Sequence, residues 1–294
     1  MSRRTLYGGQ AVIEGVMIRG PRAVAVACRR SDGAIVHQTK VIGGQFTAGM
    51  RRIPILRGIV VIWETITVGM WALTYSSNVQ LDEEGAELGP WTAAITFLSV
   101  LGLVAAVFFA GPVLLAGLLE SVIHLPWLIA LVEGVVRLSI LIAYLFIIGL
   151  MPDIRRVYAY HGAEHKSIHA LEAGDSLDVA SVQRHSVAHI RCGTSFLLTV
   201  VIISIVVFLA LGTPDLWLRI VSRILLIPLI AAIAYEVIRL GGMLQDNRLV
   251  RTAMSPNLAL QALTTREPDD GQVEVAVYAL KRAMAGEEAL ADSR

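Results

Sequence analysis

Cysteine is scarce in this chain: 294 residues contain two, Cys28 and Cys192, far apart and in different segments. That excludes a disulfide framework and leaves Cys192 as a thiol suited to a reducing compartment. Excess charge is lacking too. A formal net charge of +1 offers nothing to attract a polyanion, so no nucleic acid is expected as a partner. The N-terminus, MSRRTLYGGQAVIEGVM, is basic but has no continuous apolar core ahead of a small-residue cleavage site. No signal peptide is expected. Neither an internal repeat nor a low-complexity tract is visible.

What is abundant is apolar. Hydrophobic residues make up 55% of the chain and mean hydropathy is +0.65, above the level of a soluble domain. Four runs are long enough to cross most of a bilayer: Trp91 to Leu119, Pro126 to Leu150, Phe196 to Leu211 and Leu216 to Leu240. The second carries Glu133 and Arg137, four apart and so able to pair on one helix face. The fourth carries Arg219, Arg223, Pro228, Glu236 and Arg239. The run from Arg51 to Gln80 is also apolar, but Arg57 and Glu64 interrupt it and Trp63 and Trp71 suit a headgroup boundary. It is expected to lie at the membrane interface, with a true span as the alternative. The N-terminal region, the central stretch around Arg155 and Arg156, and the C-terminal side around Arg248 and Arg251 are basic. The connectors Glu120 to Leu125 and Gly212 to Asp215 hold no Lys or Arg. The positive-inside rule therefore puts both termini and the central stretch in the cytoplasm of a multi-pass inner (plasma) membrane protein.

The fold class expected is mainly α: a polytopic membrane protein with about four transmembrane helices, an interfacial helix, a small N-terminal β unit and a cytoplasmic histidine-rich helical segment. The divisions are a β-rich cytoplasmic segment at 1–50, the interfacial amphipathic helix at 51–80, and a first transmembrane pair at 91–150. A histidine-rich metal-site segment at 151–195, a second pair at 196–240 and a cytoplasmic C-terminal segment at 241–294 follow. In the β unit, Ala23 to Cys28 and Ala34 to Thr39 flank a Ser31-Asp32-Gly33 turn, a hairpin signal. Glu14, a lone acid among apolar residues, is either a solvated or salt-bridged strand residue or a carboxylate completing a site elsewhere. Near the end, Gly241 to Thr265 reads as a connector. Asp269 or Asp270 then caps a helix from Gln272 to Ala289 whose Val273, Val277, Leu280 and Met284 share a face.

Tyr158 to Ser195 is the polar stretch between the apolar pairs, and it holds five of the seven histidines. His161, Glu164 and His165 spell H-x-x-E-H. On a helix the two imidazoles lie one turn apart on one face and can grip one cation, while Glu164 takes a proton from water. His169 and Glu172 continue that face. His185, His189 and Cys192 repeat the helical spacing, and thiolate with imidazole suits Zn²⁺ or another divalent transition metal. The first ligands expected are His161, His165 and His189, with Cys192 as fourth; four ligands make a closed structural site, three with water a catalytic one. Against this stands a hydrogen-bonding hub that holds no metal.

The segments GGQAVIEGVMIRGP (8–21), RRIPILRG (51–58), YHGAEHKSIHALEAG (160–174), HIRCGTSFLL (189–198), IPLIAAIAYEVIRL (227–240) and LALQALTTREPDDGQVEVAVYAL (258–280) resemble the YqhQ-type family of bacterial integral membrane proteins, described as uncharacterised or as predicted metal-dependent enzymes. The chain departs from the family at Ile190, where a proline is usual. The resemblance implies a multi-span protein with a HGAEHK/RCGT core and draws in Glu14, Arg19, Glu64, Glu236, Gln261, Thr264, Thr265 and Glu267. Glu236 needs a partner, Arg239 or a metal.

Three functions compete. The first is a metal-dependent hydrolase acting on a lipid or membrane-associated peptide, with Glu164 as base and Arg191 or Lys166 steadying an anionic intermediate. The second is a non-enzymatic scaffold or biogenesis factor with a structural metal. The third is a transporter, resting on Glu133, Arg137, Glu236 and Pro228. The partners expected are membrane lipid, an unassigned substrate or protein partner, and a second copy of the chain in a homo-oligomer.

Overall fold

A computed structural model describes residues 7–42, 49–50, 53–81, 89–189, 192–244 and 247–292. The acidic stretch Asp82 to Glu87, and Ile190 and Arg191, lie outside the described residues. The architecture is mainly α and polytopic in composition, with one small sheet at the N-terminus.

Strands β1 (Gly8–Val12), β2 (Gly15–Arg19), β3 (Ala23–Arg29) and β4 (Ile35–Val41) form an antiparallel meander in chain order. Ile13 and Glu14 alone join β1 to β2, with Val12 opposite Gly15. So tight a turn forces positive φ, and Glu14 takes φ 50°, which costs a non-glycine residue about 1–2 kcal/mol. Arg156 offsets that cost, donating from Nε and Nη2 to the Glu14 carboxylate at 2.6 and 2.5 Å, and Tyr160 adds its hydroxyl at 3.2 Å. Of the two roles weighed for Glu14, the salt bridge is the one observed. The β3–β4 hairpin turns as its residues direct: Asp32 Oδ1 accepts from the Ala34 amide at 2.9 Å, and Gly33 supplies φ 86°.

Eight long helices and three shorter ones follow among the described residues. They are α1 (Leu56–Leu81), α2 (Pro90–Ala105), α3 (Gly111–Gly117), α4 (Pro126–Ile148), α5 (Pro152–Ala173), α6 (Val179–Val182), α7 (Gly193–Leu211), α8 (Leu216–Leu225), α9 (Ile227–Met243), α10 (Arg248–Thr264) and α11 (Asp270–Asp292). A π turn at Ala106–Ala110 joins α2 to α3. The sheet is covered on both faces. Val16, Ile18, Ala25 and Ala27 pack with α5 and α11, while Met17, Val24, Val26 and Cys28 pack with Val68 and Ala72 of α1. Double burial explains why β3 reads as the unbroken apolar run AVAVAC rather than an alternation.

Four helical stretches are long and apolar enough to cross a membrane: 56–81, 94–117, 126–148 and 193–211. They differ from the four runs expected in two respects: 56–81 joins the set and 216–240 leaves it. The run from Leu216 to Leu240 is two helices bent by 45°, because Pro228 in the first turn of α9 cannot donate to the preceding turn. α1, expected at the interface, meets the length and composition of a span, and its second half lies on the sheet. Both charges that interrupt it are paired, Glu64 with Arg19 at 2.7 Å and Arg57 with Glu236. Glu236 therefore bonds Arg57, not the Arg239 or metal expected of it.

Glu133 and Arg137 pair at 2.8 Å as their spacing requires. Arg223 of α8 joins the same carboxylate at 3.2 Å, and Arg137 Nε also donates to the Phe108 carbonyl at 2.9 Å. The connector expected at 241–265 is largely helix α10, despite Pro256 inside it. Ser255 Oγ donates to the Thr252 carbonyl at 2.8 Å, the acceptor that the missing proline N–H leaves free. At α11, Asp269 Oδ1 accepts from the Gln272 amide at 2.8 Å and Gln272 Oε1 from the Asp269 amide at 3.0 Å, a reciprocal cap.

Candidate metal centre

Helix α5 carries the site. Pro152 opens it, Asp153 sits in its first turn, and Gly174 at φ 78° ends it in the left-handed conformation. His161, Glu164, His165, Ile168, His169 and Glu172 follow the spacing that puts them on one stripe. Strand β1 lies against this stripe: a Cβ on Gly9 would come within 2.7 Å of Glu164 Cγ. Only glycine lets the strand approach that closely.

The second histidine cluster is not helical. After α6, residues 183–189 run as turns and irregular backbone, whereas the spacing of His185, His189 and Cys192 predicts a helix. The carbonyls that a helix would consume go elsewhere. Val187 O accepts from His165 Nδ1 at 2.5 Å, and Ala188 O from His169 Nε2 at 2.8 Å. Gln261 of α10 grips the backbone of His189 at both ends, accepting from its amide at 3.0 Å and donating to its carbonyl at 2.7 Å. Tertiary hydrogen bonds thus strap this loop along α5, and they outcompete local spacing.

The straps also set the tautomers. A carbonyl only accepts, so a ring nitrogen facing one must carry the proton. His161 Nδ1 donates to Thr264 O at 2.9 Å, which leaves the Nε2 lone pair facing Cys192 Sγ at 3.1 Å. His165 Nδ1 donates to Val187 O, which leaves Nε2 as acceptor; that atom is buried and has no hydrogen-bond partner. The Glu164 carboxylate is 3.5 Å away. A hydrogen bond donor or a metal cation placed between the two would satisfy both. Cys192 caps α7, its Sγ accepting from the Thr194 amide at 3.4 Å.

The residues sort into two groups, His161 with His165 and Cys192, and His169 with Glu172 and His189; in each, the ligand atoms lie within 4.8 Å of one another. His189, expected beside His161 and His165, thus falls with Glu172, 3.6 Å from its carboxylate. It still shares a cavity of ≈ 40 Å³ with Gly9, His161, Glu164, His165 and Cys192. His185 stands apart, bonded to Asp175 at 3.0 Å. Burial holds the pKa of His189 below the usual imidazole range, with Glu164 opposing; burial does the same at His169, opposed by the Ala188 carbonyl. Neutral imidazole is the ligating form.

Lys166 does not serve the role expected of it. Its Nζ is held by Gln183 at 2.9 and 3.2 Å and by Glu267 at 2.7 Å, which fixes the α6 loop and the α10–α11 linker to α5. Spacing alone misses Gln261 and Gly162. A Cβ at Gly162 would sit 2.1 Å from Arg266 O, so the glycine inside the H-x-x-E-H motif admits the linker that follows Thr264 at the end of α10.

Residues 53–286 match the family described as "Protein of unknown function (DUF1385)". The chain is 36% identical over 292 residues to "Uncharacterized protein YqhQ" of Bacillus subtilis (strain 168), covering 92% of this chain and 90% of that one. No solved structure matches.

Proposed function

The chain belongs to the YqhQ-type DUF1385 family, and on that premise we propose that it is a metal-dependent hydrolase of the inner membrane. In this reading His161, His165 and Cys192 hold one divalent cation, and Glu164 is the general base. The observation that carries it is the buried, unpartnered Nε2 of His165, facing the Glu164 carboxylate at 3.5 Å. Backbone carbonyls orient both imidazoles, the arrangement that fixes ligating histidines elsewhere. Two nitrogens and a thiolate suit Zn²⁺, and three protein ligands leave a fourth position open. A cation bound there would supply Lewis acidity, which acidifies water near neutral pH.

The residues divide the remaining work. Glu164, on the same helix face and lining the cavity, accepts the proton from water and returns it to the leaving group. Thr264 and Val187 keep the ring nitrogens aimed, and Gln261 holds the loop that supplies one of those carbonyls. Cys192 begins α7, a helix long enough to span, which supports a site beside the membrane surface. That position favours a lipid or a membrane-associated peptide as substrate. The cavity of ≈ 40 Å³ holds water but not a headgroup, since a water needs roughly 10–15 Å³. Substrate entry therefore requires β1 to draw back from α5. The same small cavity favours a second reading, a structural cation stapling α5, α7 and α10 in a scaffold protein.

Metal analysis of purified protein beside activity or complementation separates the two. Wild type should hold about one ion per chain and the His161→Ala/His165→Ala double variant should lose it. Glu164→Gln should keep the ion and lose function by about 10²–10⁴; full complementation by that variant would leave the scaffold. The proposed orientation keeps the termini and the site cytoplasmic. Cysteines placed at Val122 and Asp215 should react with an impermeant reagent outside intact cells, and protection of both would reverse it.

A further inference from the structure

A second polar site lies at the other end of α4 and α7 from the histidines. The connectors at 118–125 and 212–215 and the start of α8 enclose a cavity of ≈ 370 Å³, lined by Glu120, His124, Thr213, Asp215 and Arg219 among others. Arg219 is only 2% exposed. Its Nη2 donates to Glu120, but Nε and Nη1 are buried with no hydrogen-bond partner. Unmet donors on a charged group are costly, and proteins rarely leave them so.

The surrounding charges do not resolve the deficit. One turn further along α8, Arg223 shares Glu133 with Arg137, so three buried guanidiniums, Arg137, Arg219 and Arg223, stand against the two carboxylates Glu120 and Glu133. The balance is one positive charge in an apolar bundle. Glu120 and, at the rim, Asp215 are both exposed and weakened by solvent screening, so neither fully offsets the buried guanidiniums. Nε and Nη1 lie on different edges of the guanidinium, so a ligand that meets both must offer more than one acceptor oxygen, and an anion would also offset the charge. Leu216 lines the cavity and is exposed, and Leu118, Val122, Leu125 and Trp217, close in sequence to lining residues, are exposed and apolar, which suits a ligand that is polar at one end and apolar at the other.

We propose that this cavity binds a phosphoryl group through Arg219, with Thr213 and His124 as further polar neighbours. The group belongs either to a phospholipid headgroup or to a free phosphate. The site is independent of the metal centre.

The test uses the full-length protein in neutral detergent, titrated with dihexanoyl phosphatidylglycerol and, separately, with inorganic phosphate, and followed by native mass spectrometry and tryptophan fluorescence. Wild type should bind at least one of them; binding of the lipid alone identifies a headgroup, and binding of phosphate alone a free anion. Arg219→Gln should weaken binding at least tenfold. Glu120→Gln should tighten it, because it frees Nη2 and removes a competing carboxylate. Opposite signs are the signature, since a merely structural pair would suffer equally from both changes. Should Arg219→Gln fail to fold, Thr213→Val is the milder variant and should weaken binding several-fold. No binding of either probe to wild type, or equal weakening by Glu120→Gln and the Arg219 or Thr213 variant, would overturn the proposal.

Discussion

Gly162→Ala sets two effects of opposite sign against each other. Gly162 lies in the middle of α5, where alanine gains about 0.5–1 kcal/mol of helix stability over glycine. Judged by propensity alone, the variant is more stable. The structure says otherwise. The new Cβ would lie 2.1 Å from the Arg266 carbonyl oxygen and 3.2 Å from Val187 Cγ1. A carbon normally keeps roughly 3.3 Å or more from such an oxygen, so the linker must retreat by about 1 Å. Overpacking of this kind costs about 1–3 kcal/mol, which outweighs the helical gain. The retreat also moves both straps of the site, because Thr264 holds His161 and Val187 holds His165. Loss of such orienting partners costs about 10–100-fold in metal affinity. Detergent-solubilised Gly162→Ala should therefore melt lower, by about 2–4 °C per kcal/mol, and release its ion at lower chelator concentration than wild type. A raised melting temperature with unchanged metal affinity would refute the reasoning.

Two further outcomes are expected. Cys28 is buried between β3 and α1, and burial together with Glu14 pushes its thiol from 9.0 up to about 12. It should resist alkylation in the folded protein at pH 8.5. Its contribution to stability is fully present below pH 9 and lost as pH rises toward 12, at up to about 1.4 kcal/mol per pH unit; a Cys28→Ala variant with the same alkaline unfolding profile would contradict this. Glu133→Gln leaves Arg137 and Arg223 without their shared carboxylate, and should cost about 3–5 kcal/mol, read as loss of folded yield. Replacing all three by apolar residues of similar volume should recover much of it, and a silent Glu133→Gln would show the cluster to be solvated.

Local chemistry alone determined a good part of this protein. Ser31-Asp32-Gly33 places a hairpin, Asp269 and Gln272 place a helix start, and the spacing from His161 to Glu172 puts six side chains on one stripe. Each of these depends on hydrogen bonds or periodicity within a few residues, so the residues themselves suffice. The pairing of Glu133 with Arg137 is legible for the same reason. Contacts between distant segments were decided only by the tertiary structure. The 183–189 loop gives up helix because α5 and Gln261 take its carbonyls and amide. Glu236 meets Arg57, and His189 meets Glu172, across segments whose approach no spacing predicts. Most telling are the tautomers. Whether His161 presents a lone pair to Cys192, and His165 one toward Glu164, depends on two carbonyls, at Thr264 and Val187, brought in by chain more than twenty residues away. A side-chain inventory names the ligands, but only the packed backbone decides which of their nitrogens can bind.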